Sequence, residues 1–353
     1  MNEKIRLLRE RLRNLNMEGM IITNPISIKY LTNIENEGTL LITRKENIFL
    51  TYTMFLESVR STVTINDELI IADFRDVSKE ECENFFLFCE NIGFEENYVT
   101  YKQYHYLKQK YKVNNLAETE NIIEKLRAIK DKEEIEKIKK ACEITDNCFN
   151  HLLEFIKIGM TEKEIALEIE TFFKKNGAEG LAFDTIVAIG ENSANPHWNP
   201  SDREVRMADP ILIDMGCKYQ GYCSDMTRTI FMGCILEEIK PVYDLVLKNL
   251  SYTDKEIKEY ASIKTISQMV ESDFKLNKYD LIHSLGHSIG METHEMPYIN
   301  TKNDTYLKEN MVIAIEPGIY LPGKYGIRIE DTILVEKNGC TILTNSPRNY
   351  VIL

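Results

Sequence analysis

The chain has 353 residues, of which 43% are hydrophobic and 28% are charged, so it is long enough for two domains and typical of soluble globular proteins. Its formal net charge of −13, without a visible basic patch, argues against nucleic acid or an anionic membrane surface as a partner. No apolar run reaches the length of a membrane span and the charged N-terminus lacks the apolar core of a secretion signal, so we expect a cytoplasmic protein.

The N-terminal part of the chain predicts a small α/β domain over residues 1–117. Residues 2–16 carry apolar side chains at helical spacing. Short strand-like runs bounded by turn residues follow at 19–23, 39–43, 48–53 and 69–72. A helical pattern at 80–91 lies among them, and no catalytic motif occurs in this part.

The remaining chain, 118–353, predicts an α+β domain. Residues 117–157 are charged, almost free of glycine and proline, and apolar at three-to-four spacing, which indicates one or two long helices at the domain junction. The next helix begins at the capping box Thr161-Glu-Lys-Glu164 and stops at Asn176-Gly177. Strand-like runs follow at 183–190, 210–215, 221–231, 311–319 and 326–335, and helices are expected at 236–250 and 254–272.

Four acidic residues interrupt strand-like runs that otherwise favour burial: Asp214, Asp225, Glu316 and Glu330. A carboxylate buried alone costs several kcal/mol, so each needs a cation or many hydrogen bonds. Arginines in these strands are too few to balance four charges, whereas two divalent cations would balance them, and a neutral histidine would complete the site. The alternative is a set of separate carboxylates at strand ends.

Three of the six histidines lie within residues 283–294, with Gly286 and Gly290 around the middle one. Histidine is the usual metal ligand and titrates near neutral pH, so the cluster indicates a site; the alternative is a histidine-rich loop without chemistry. Gly286–Gly290 also matches the G-x-S-x-G pattern of serine hydrolases. Only Glu292 and His294 could follow Ser288 as acid and base, and the context is not that of a strand–turn–helix, so a serine hydrolase is disfavoured.

The chain resembles the Xaa-Pro peptidases, the prolidase and aminopeptidase P group of the pita-bread metallopeptidases. The resemblance rests on five motifs that occur in the family's order and spacing: Asn192-Ser-Ala-Asn-Pro-His197, Ile213-Asp-Met-Gly with Gly221-Tyr-Cys-Ser-Asp-Met-Thr-Arg-Thr, Gly286-His-Ser-Ile-Gly with Glu292-Thr-His-Glu-Met-Pro, Ile315-Glu-Pro-Gly-Ile-Tyr320, and Gly326-Ile-Arg-Ile-Glu-Asp. It implies a C-terminal pita-bread domain after a smaller α/β domain, and metal-dependent hydrolysis of Xaa-Pro bonds in a dipeptide or short peptide.

The resemblance also implies residue roles. Two divalent ions, Mn²⁺ first with Co²⁺, Fe²⁺ or Zn²⁺ as alternatives, are expected on Asp214, Asp225, His287, Glu316 and Glu330. Glu316 would carry the proton, with His197 and His294 assisting. Substrate contacts are expected from His283, Tyr320 and Arg328, and Thr227 matches a partner of the metal carboxylates. Homodimers are common in the family, and one is expected here.

Related proteins with other activities define the alternatives. Pita-bread binding modules and creatinase-like hydrolases typically lack one or more of the five ligands, all of which this chain retains. Methionine aminopeptidase is disfavoured by the extra N-terminal domain and by Tyr320 and Arg328. Ser288 follows the expected metal ligand His287, at a position where glycine is commoner in the family that the chain resembles. The short spacer between Glu316 and Glu330 and the compact N-terminal domain favour a dipeptidase.

Overall fold

The computed structural model describes residues 3–62 and 69–353, and the chain divides between Arg127 and Ala128 into two compact units. The predicted boundary after residue 117 falls within β6 (Asn115–Glu118), which is paired in the sheet of the first unit. The division therefore comes later than the composition indicates, because this strand and the helix that follows it pack with the first unit.

One mixed sheet forms the centre of the first unit. Among its described residues, the strands are β1 (Gly19–Ile22), β2 (Gly38–Thr43), β3 (Asn47–Thr51), β4 (Ile70–Asp73), β5 (Asn91–Phe94) and β6. Their order across the sheet is β4-β3-β2-β1-β5-β6. The pairs β1–β2 and β2–β3 are antiparallel and the other three are parallel.

Helices of the first unit supply apolar faces to this sheet. They are α1 (Glu3–Asn14), α2 (Pro25–Thr32), α3 (Leu56–Thr62), α4 (Lys79–Asn84), α5 (Tyr101–Lys110) and α6 (Ile122–Arg127). Ile5, Leu8 and Leu12 of α1 are buried, which confirms the predicted amphipathic helix. The helix predicted over 80–91 is too long: α4 ends at Asn84, residues 85–88 form turns, and Asn91 already pairs in the sheet.

The second unit consists of two helix pairs and several antiparallel sheets. Its helices are α7 (Lys132–Phe155), α8 (Glu162–Lys175), α9 (Lys240–Glu256) and α10 (Ile263–Leu276). Its strands are β7 (Gly180–Leu181), β8 (Ile186–Ile189), β9 (Pro210–Met215), β10 (Cys217–Tyr219), β11 (Tyr222–Cys223), β12 (Met226–Phe231), β13 (Gly286–Ser288), β14 (Glu295–Ile299), β15 (Val312–Ile315), β16 (Gly318–Leu321), β17 (Tyr325–Arg328), β18 (Asp331–Glu336) and β19 (Gly339–Ile342). The strand orders are β11-β10-β7, β12-β9-β8, β14-β13-β15-β18-β19 and β16-β17.

Helix caps explain where the long helices start. The Thr161 hydroxyl accepts from Glu164 N while Glu164 accepts from Thr161 N, which confirms the predicted capping box of α8. The helices predicted at 236–250 and 254–272 are shifted in the structure. Pro241 sits in the first turn of α9, where its missing N–H costs nothing, and Ser262 caps α10.

Each helix pair buries one face of a sheet. Ile211 and Ile213 of β9 pack in the core under α7 and α8, and Ile313 and Ile315 of β15 pack under α9 and α10. Because side chains alternate along a strand, the residues between and beyond these isoleucines face the opposite side. Asp214 is therefore turned away from the helix-covered core.

Three runs predicted as continuous strands are broken in the structure. The breaks fall at Asp225 between β11 and β12, at Glu316 between β15 and β16, and at Glu330 between β17 and β18. At each break the chain passes from one sheet to another, since β11 pairs with β10 whereas β12 pairs with β9. Each carboxylate is thus placed where two sheets meet. In the described part of the chain, no helix has both the length and the apolar character needed to cross a membrane.

Candidate active site and metal centre

A cavity of about 350 Å³ in the second unit collects most of the predicted site residues. Those that line it are Asp214, Asp225, Glu316, Glu330, His197, His283, His287, His294 and Arg328. Tyr320 contacts two of these side chains, as described below. The structure therefore brings together residues that are up to 133 positions apart, between His197 and Glu330.

The geometry at the centre of the cavity is that of a cluster of metal-ligating atoms. Ligand atoms of Asp225, His287 and Glu330 all lie within 4.8 Å of one another. His287 Nε2 is 3.6 Å from Asp225 Oδ2 and 3.7 Å from Glu316 Oε1. These distances are too long for good hydrogen bonds but leave room for an ion between the atoms.

The proton on His287 lies on the nitrogen that faces away from the carboxylates. Its Nδ1 is 3.1 Å from the Ser288 carbonyl oxygen, which can only accept a hydrogen bond, so Nδ1 carries the proton. Burial lowers the pKa of His287 to about 4, so the ring is neutral at pH 7. Its Nε2 lone pair therefore faces two carboxylate oxygens, an arrangement that a cation between them would stabilise.

The carboxylates show the same deficit of positive charge. Burial and the neighbouring acidic groups raise the pKa of Asp225 and Glu330 well above the usual range. Burial raises the pKa of Glu316 to about 8. Asp214 Oδ1 is buried without a hydrogen-bond partner. An oxygen-rich set with one imidazole and an orphaned carboxylate oxygen fits divalent cations.

Arg328 connects two of the acidic residues. Its Nη2 donates to Asp214 Oδ2 at 2.5 Å, and its Nε donates to Thr227 Oγ1 at 3.0 Å. The Thr227 hydroxyl in turn donates to Glu330 Oε2 at 2.6 Å. Arg328 lines the cavity, and its hydrogen bonds to protein atoms hold the acidic residues in place.

A directed chain of hydrogen bonds runs along one wall. His283 Nδ1 lies 2.7 Å from the Ser284 carbonyl oxygen and must donate to it, so Nε2 accepts from the Tyr320 hydroxyl at 3.0 Å. Tyr320 accepts in turn from Arg328 Nη1 at 2.8 Å. Burial lowers the pKa of His283 to about 4, which keeps this donor order at neutral pH.

The two remaining histidines line the cavity without direct carboxylate contacts. The His294 ring centroid is 4.4 Å from that of His287. His197 follows Pro196, whose carbonyl oxygen accepts from Arg328 Nη1 at 3.4 Å. Both imidazoles are exposed, so both are accessible from the cavity.

Some residues of the site carry no distinctive sequence pattern. Phe183, Asp184, Ile186 and Tyr298 line the cavity, although no motif at their positions indicates it.

Glu295 lies within one of the five motifs, and its Oε1 accepts from Met291 N and Glu292 N. Its Oε2 forms a buried ion pair with Lys130 at 3.2 Å. The Lys130 ammonium also donates to Ser288 Oγ at 3.1 Å, so Ser288 has a structural partner that glycine would lack.

Two family models match the chain. Residues 136–337 match metallopeptidase family M24, and residues 4–129 match the creatinase/prolidase N-terminal domain. An Xaa-Pro dipeptidase of Pyrococcus furiosus is 41% identical over 264 residues, which cover 74% of this chain and 76% of that protein.

Solved structures resemble the whole chain. An Xaa-Pro dipeptidase from Bacillus anthracis has a TM-score of 0.93 at 34% identity and covers 99% of each chain. An X-Pro aminopeptidase from Thermotoga maritima has a TM-score of 0.88 at 34% identity, with 98% of this chain and all of that chain covered (100%). The similarity therefore includes a protein named Xaa-Pro dipeptidase and one named X-Pro aminopeptidase.

Proposed function

The chain belongs to metallopeptidase family M24 and has the pita-bread fold, which follows a creatinase/prolidase N-terminal domain in the sequence. We therefore propose that it hydrolyses Xaa-Pro peptide bonds. The substrate is a dipeptide or a short peptide with proline in the second position. Relatives named Xaa-Pro dipeptidase support this substrate class. The observation that carries the metal dependence is the His287 lone pair directed at Asp225 and Glu316.

Divalent metal ions accompany this family, and five residues of the cavity would hold two of them. They are Asp214, Asp225, His287, Glu316 and Glu330. We favour Mn²⁺, because four carboxylates and one imidazole form a hard, oxygen-rich set, while Co²⁺, Fe²⁺ and Zn²⁺ are the alternatives. When bound, such ions polarise the scissile carbonyl and lower the pKa of an attacking water.

Protein groups handle the proton and the developing charge. Glu316 lies in the cavity at the end of β15, where it can take a proton from water and deliver it to the leaving proline nitrogen. His294 and His197 present exposed imidazoles to the same cavity. They would orient the substrate and donate hydrogen bonds to the carbonyl oxygen as its charge grows.

The proline side of the substrate would meet the wall formed by His283, Tyr320 and Arg328. The hydrogen bonds from Arg328 to Tyr320 and from Tyr320 to His283 keep these groups in one arrangement. The nitrogen of an Xaa-Pro bond has no N–H, so shape rather than a hydrogen bond to that nitrogen must select it. A wall of fixed rings suits this task.

Replacement of Glu316 tests the proposal. The Glu316→Gln variant should lose about 10²-fold or more in kcat towards an Xaa-Pro dipeptide with added Mn²⁺, because it loses its proton carrier. Glu309→Gln, on the exposed surface, is the matched control and should keep the turnover of the unaltered chain. Unchanged turnover in Glu316→Gln would overturn the assignment.

Substrate length and assembly are separate proposals. We favour a dipeptidase, because the spacer between Glu316 and Glu330 is short. A panel of Xaa-Pro and Xaa-Pro-Yaa peptides under the same metal loading decides this, since faster turnover of the longer peptides contradicts it.

A homodimer is likewise proposed by resemblance. Size-exclusion chromatography with light scattering measures the mass of the protein in solution, and the mass of a monomer would contradict the proposal. The cytoplasmic location expected from the sequence is also a proposal.

A further inference from the structure

Glu162 is a fully buried carboxylate that receives five hydrogen bonds from a single loop. Its Oε1 accepts from Ile189 N at 2.7 Å and from Asn192 Nδ2 at 2.9 Å. Its Oε2 accepts from Trp198 Nε1 at 2.8 Å, from Ser201 N at 2.8 Å and from Ser201 Oγ at 2.6 Å. One side chain thus binds the loop at its start, in its middle and at its end.

The carboxylate is suited to this place by its charge. Glu162 is the first residue of α8, where the helix dipole favours an anion. Hydrogen bonds to a charged acceptor are stronger than neutral ones, and two oxygens offer about four acceptor positions. The five donors therefore occupy all the acceptor positions of Glu162, with one position shared, and no neutral side chain could accept as many.

The loop that Glu162 holds carries part of the active-site wall. Pro196 and His197 line the cavity, and the Pro196 carbonyl oxygen accepts from Arg328. Trp198 and Tyr320 both pack against the small apolar cluster that contains Ile186. None of the five proposed metal ligands lies on this loop, so the loop can move without removing a ligand.

A second contact supports the base of the loop. Gly326 N donates to Ser193 Oγ at 2.8 Å, and a Cβ on Gly326 would lie 2.0 Å from the Ser193 carbonyl oxygen. The chain around Ser193 is therefore pressed against β17. The part that carries Pro196, His197 and Trp198 accepts a hydrogen bond from Arg328 at Pro196 and donates to Glu162 from Trp198 and Ser201.

We propose that Glu162 is a positioning residue of this active site. Its carboxylate fixes the loop of residues 189–201, so that His197 and Pro196 remain at the cavity and Trp198 closes the wall beside Tyr320. The catalytic part of this inference rests on the proposed hydrolysis of Xaa-Pro bonds. The structural part does not, because Trp198 is the only tryptophan of the chain and reports on the loop by itself.

The test compares Glu162→Ala, Glu162→Gln and the control Glu164→Gln in the full-length, Mn²⁺-loaded protein. Glu164 belongs to the same helix start but accepts hydrogen bonds from Thr161 and not from the loop. Tryptophan emission, acrylamide quenching, bound metal, kcat and KM are measured for each. Glu162→Ala should shift the emission to longer wavelength, increase quenching, and lower kcat/KM by about 10²-fold with the metal content unchanged.

Glu162→Gln should give a partial rescue. The amide retains one oxygen, which can still accept from Trp198 and Ser201 if its NH₂ turns towards Ile189 and Asn192. It should therefore keep the emission maximum of the unaltered chain. It should lose about 10-fold in kcat/KM, because the donors of Ile189 and Asn192 then face an NH₂ group that cannot accept their hydrogen bonds. Glu164→Gln should match the unaltered chain in emission, quenching and kcat/KM.

Several outcomes would overturn the inference. Unchanged emission and quenching in Glu162→Ala would show that Glu162 does not hold the loop. Altered emission with unchanged kcat/KM would show that the loop does not position the site. A loss in Glu164→Gln equal to that in Glu162→Gln would assign the effect to the helix start. If Glu162→Ala does not fold, the values of kcat/KM for Glu162→Gln and Glu164→Gln are compared instead. A loss in Glu162→Gln alone supports the inference, and equal values overturn it. If the unaltered chain hydrolyses no Xaa-Pro peptide, the proposed function fails, and emission and quenching still test the loop.

Discussion

The buried ion pair of Lys130 with Glu295 holds the segment that contains His287 and His294. The two side chains are 1% and 5% exposed, and Nζ lies 3.2 Å from Oε2. The other carboxylate oxygen of Glu295 binds the backbone of Met291 and Glu292. Lys130 thereby stabilises the chain between the two histidines from the stretch that precedes α7.

Replacement of Lys130 by methionine leaves the Glu295 carboxylate buried without this cation. Removal of one partner from a buried pair costs about 3–5 kcal/mol, far more than the pair contributes net, because the remaining charge stays desolvated. In a unit of this size each kcal/mol lowers Tm by about 2–4 °C, so we expect Lys130→Met to lower Tm by about 6–20 °C. Adding Glu295→Gln should restore much of the loss, since it removes the stranded charge.

Thermal and urea unfolding of the metal-loaded protein measure this effect. The control is Lys163→Met, which breaks the Lys163–Asp202 pair, at the similar distance of 3.0 Å but with side chains 57% and 83% exposed. An exposed pair contributes about 0–1 kcal/mol, so the control should change little. If Lys130→Met destabilises the protein no more than Lys163→Met does, the reasoning from burial is wrong.

Three further predictions concern other parts of the molecule. Burial raises the pKa of Glu95 in the first unit from 4.5 to about 7. The protonated side chain therefore contributes stability that is fully present below about pH 4.5 and is lost as the pH rises to about 7. This loss lowers the free energy of unfolding by about 3 kcal/mol. Glu95→Gln should remove that loss in urea unfolding at about pH 5 and pH 8, and equal pH slopes for both proteins would contradict it. Tyr320→Phe should lower kcat/KM about 10–100-fold with little change in Tm, because Arg328 and His283 lose a shared partner; an unchanged kcat/KM would contradict that role. Asp225→Asn should weaken metal binding about 10²-fold in metal analysis of the purified protein, whereas full retention of metal would remove Asp225 from the ligand set.

Periodicity and cap chemistry made much of the fold predictable. The stripe of Ile5, Leu8 and Leu12 and the capping box at Thr161 are local patterns, and the structure has both. The acidic residues could be found because a carboxylate within an apolar strand needs compensation. The interruption of the strands at Asp225, Glu316 and Glu330 could not, because it depends on which sheet each half-strand joins.

Residues that support the site were beyond reach for the same reason. Lys130 and Glu295 are 165 positions apart, and a lone lysine before a charged helix has no distinctive pattern. Glu162 is even less conspicuous, because its place in the sequence is that of an ordinary acidic residue in the first turn of a helix. Only the return of the 189–201 loop to the start of α8 reveals its hydrogen bonds. Long-range contacts of single side chains leave no periodic signal in the sequence.

The most direct measurement compares two dipeptides that differ only in proline or alanine at the second position. The protein is first stripped of metal and then reloaded with Mn²⁺, and hydrolysis of each dipeptide is followed before and after reloading. We predict no turnover by the stripped protein and, after reloading, hydrolysis of the proline dipeptide in clear preference to the alanine one. Turnover without metal, or equal turnover of both dipeptides, would contradict an Xaa-Pro metallopeptidase.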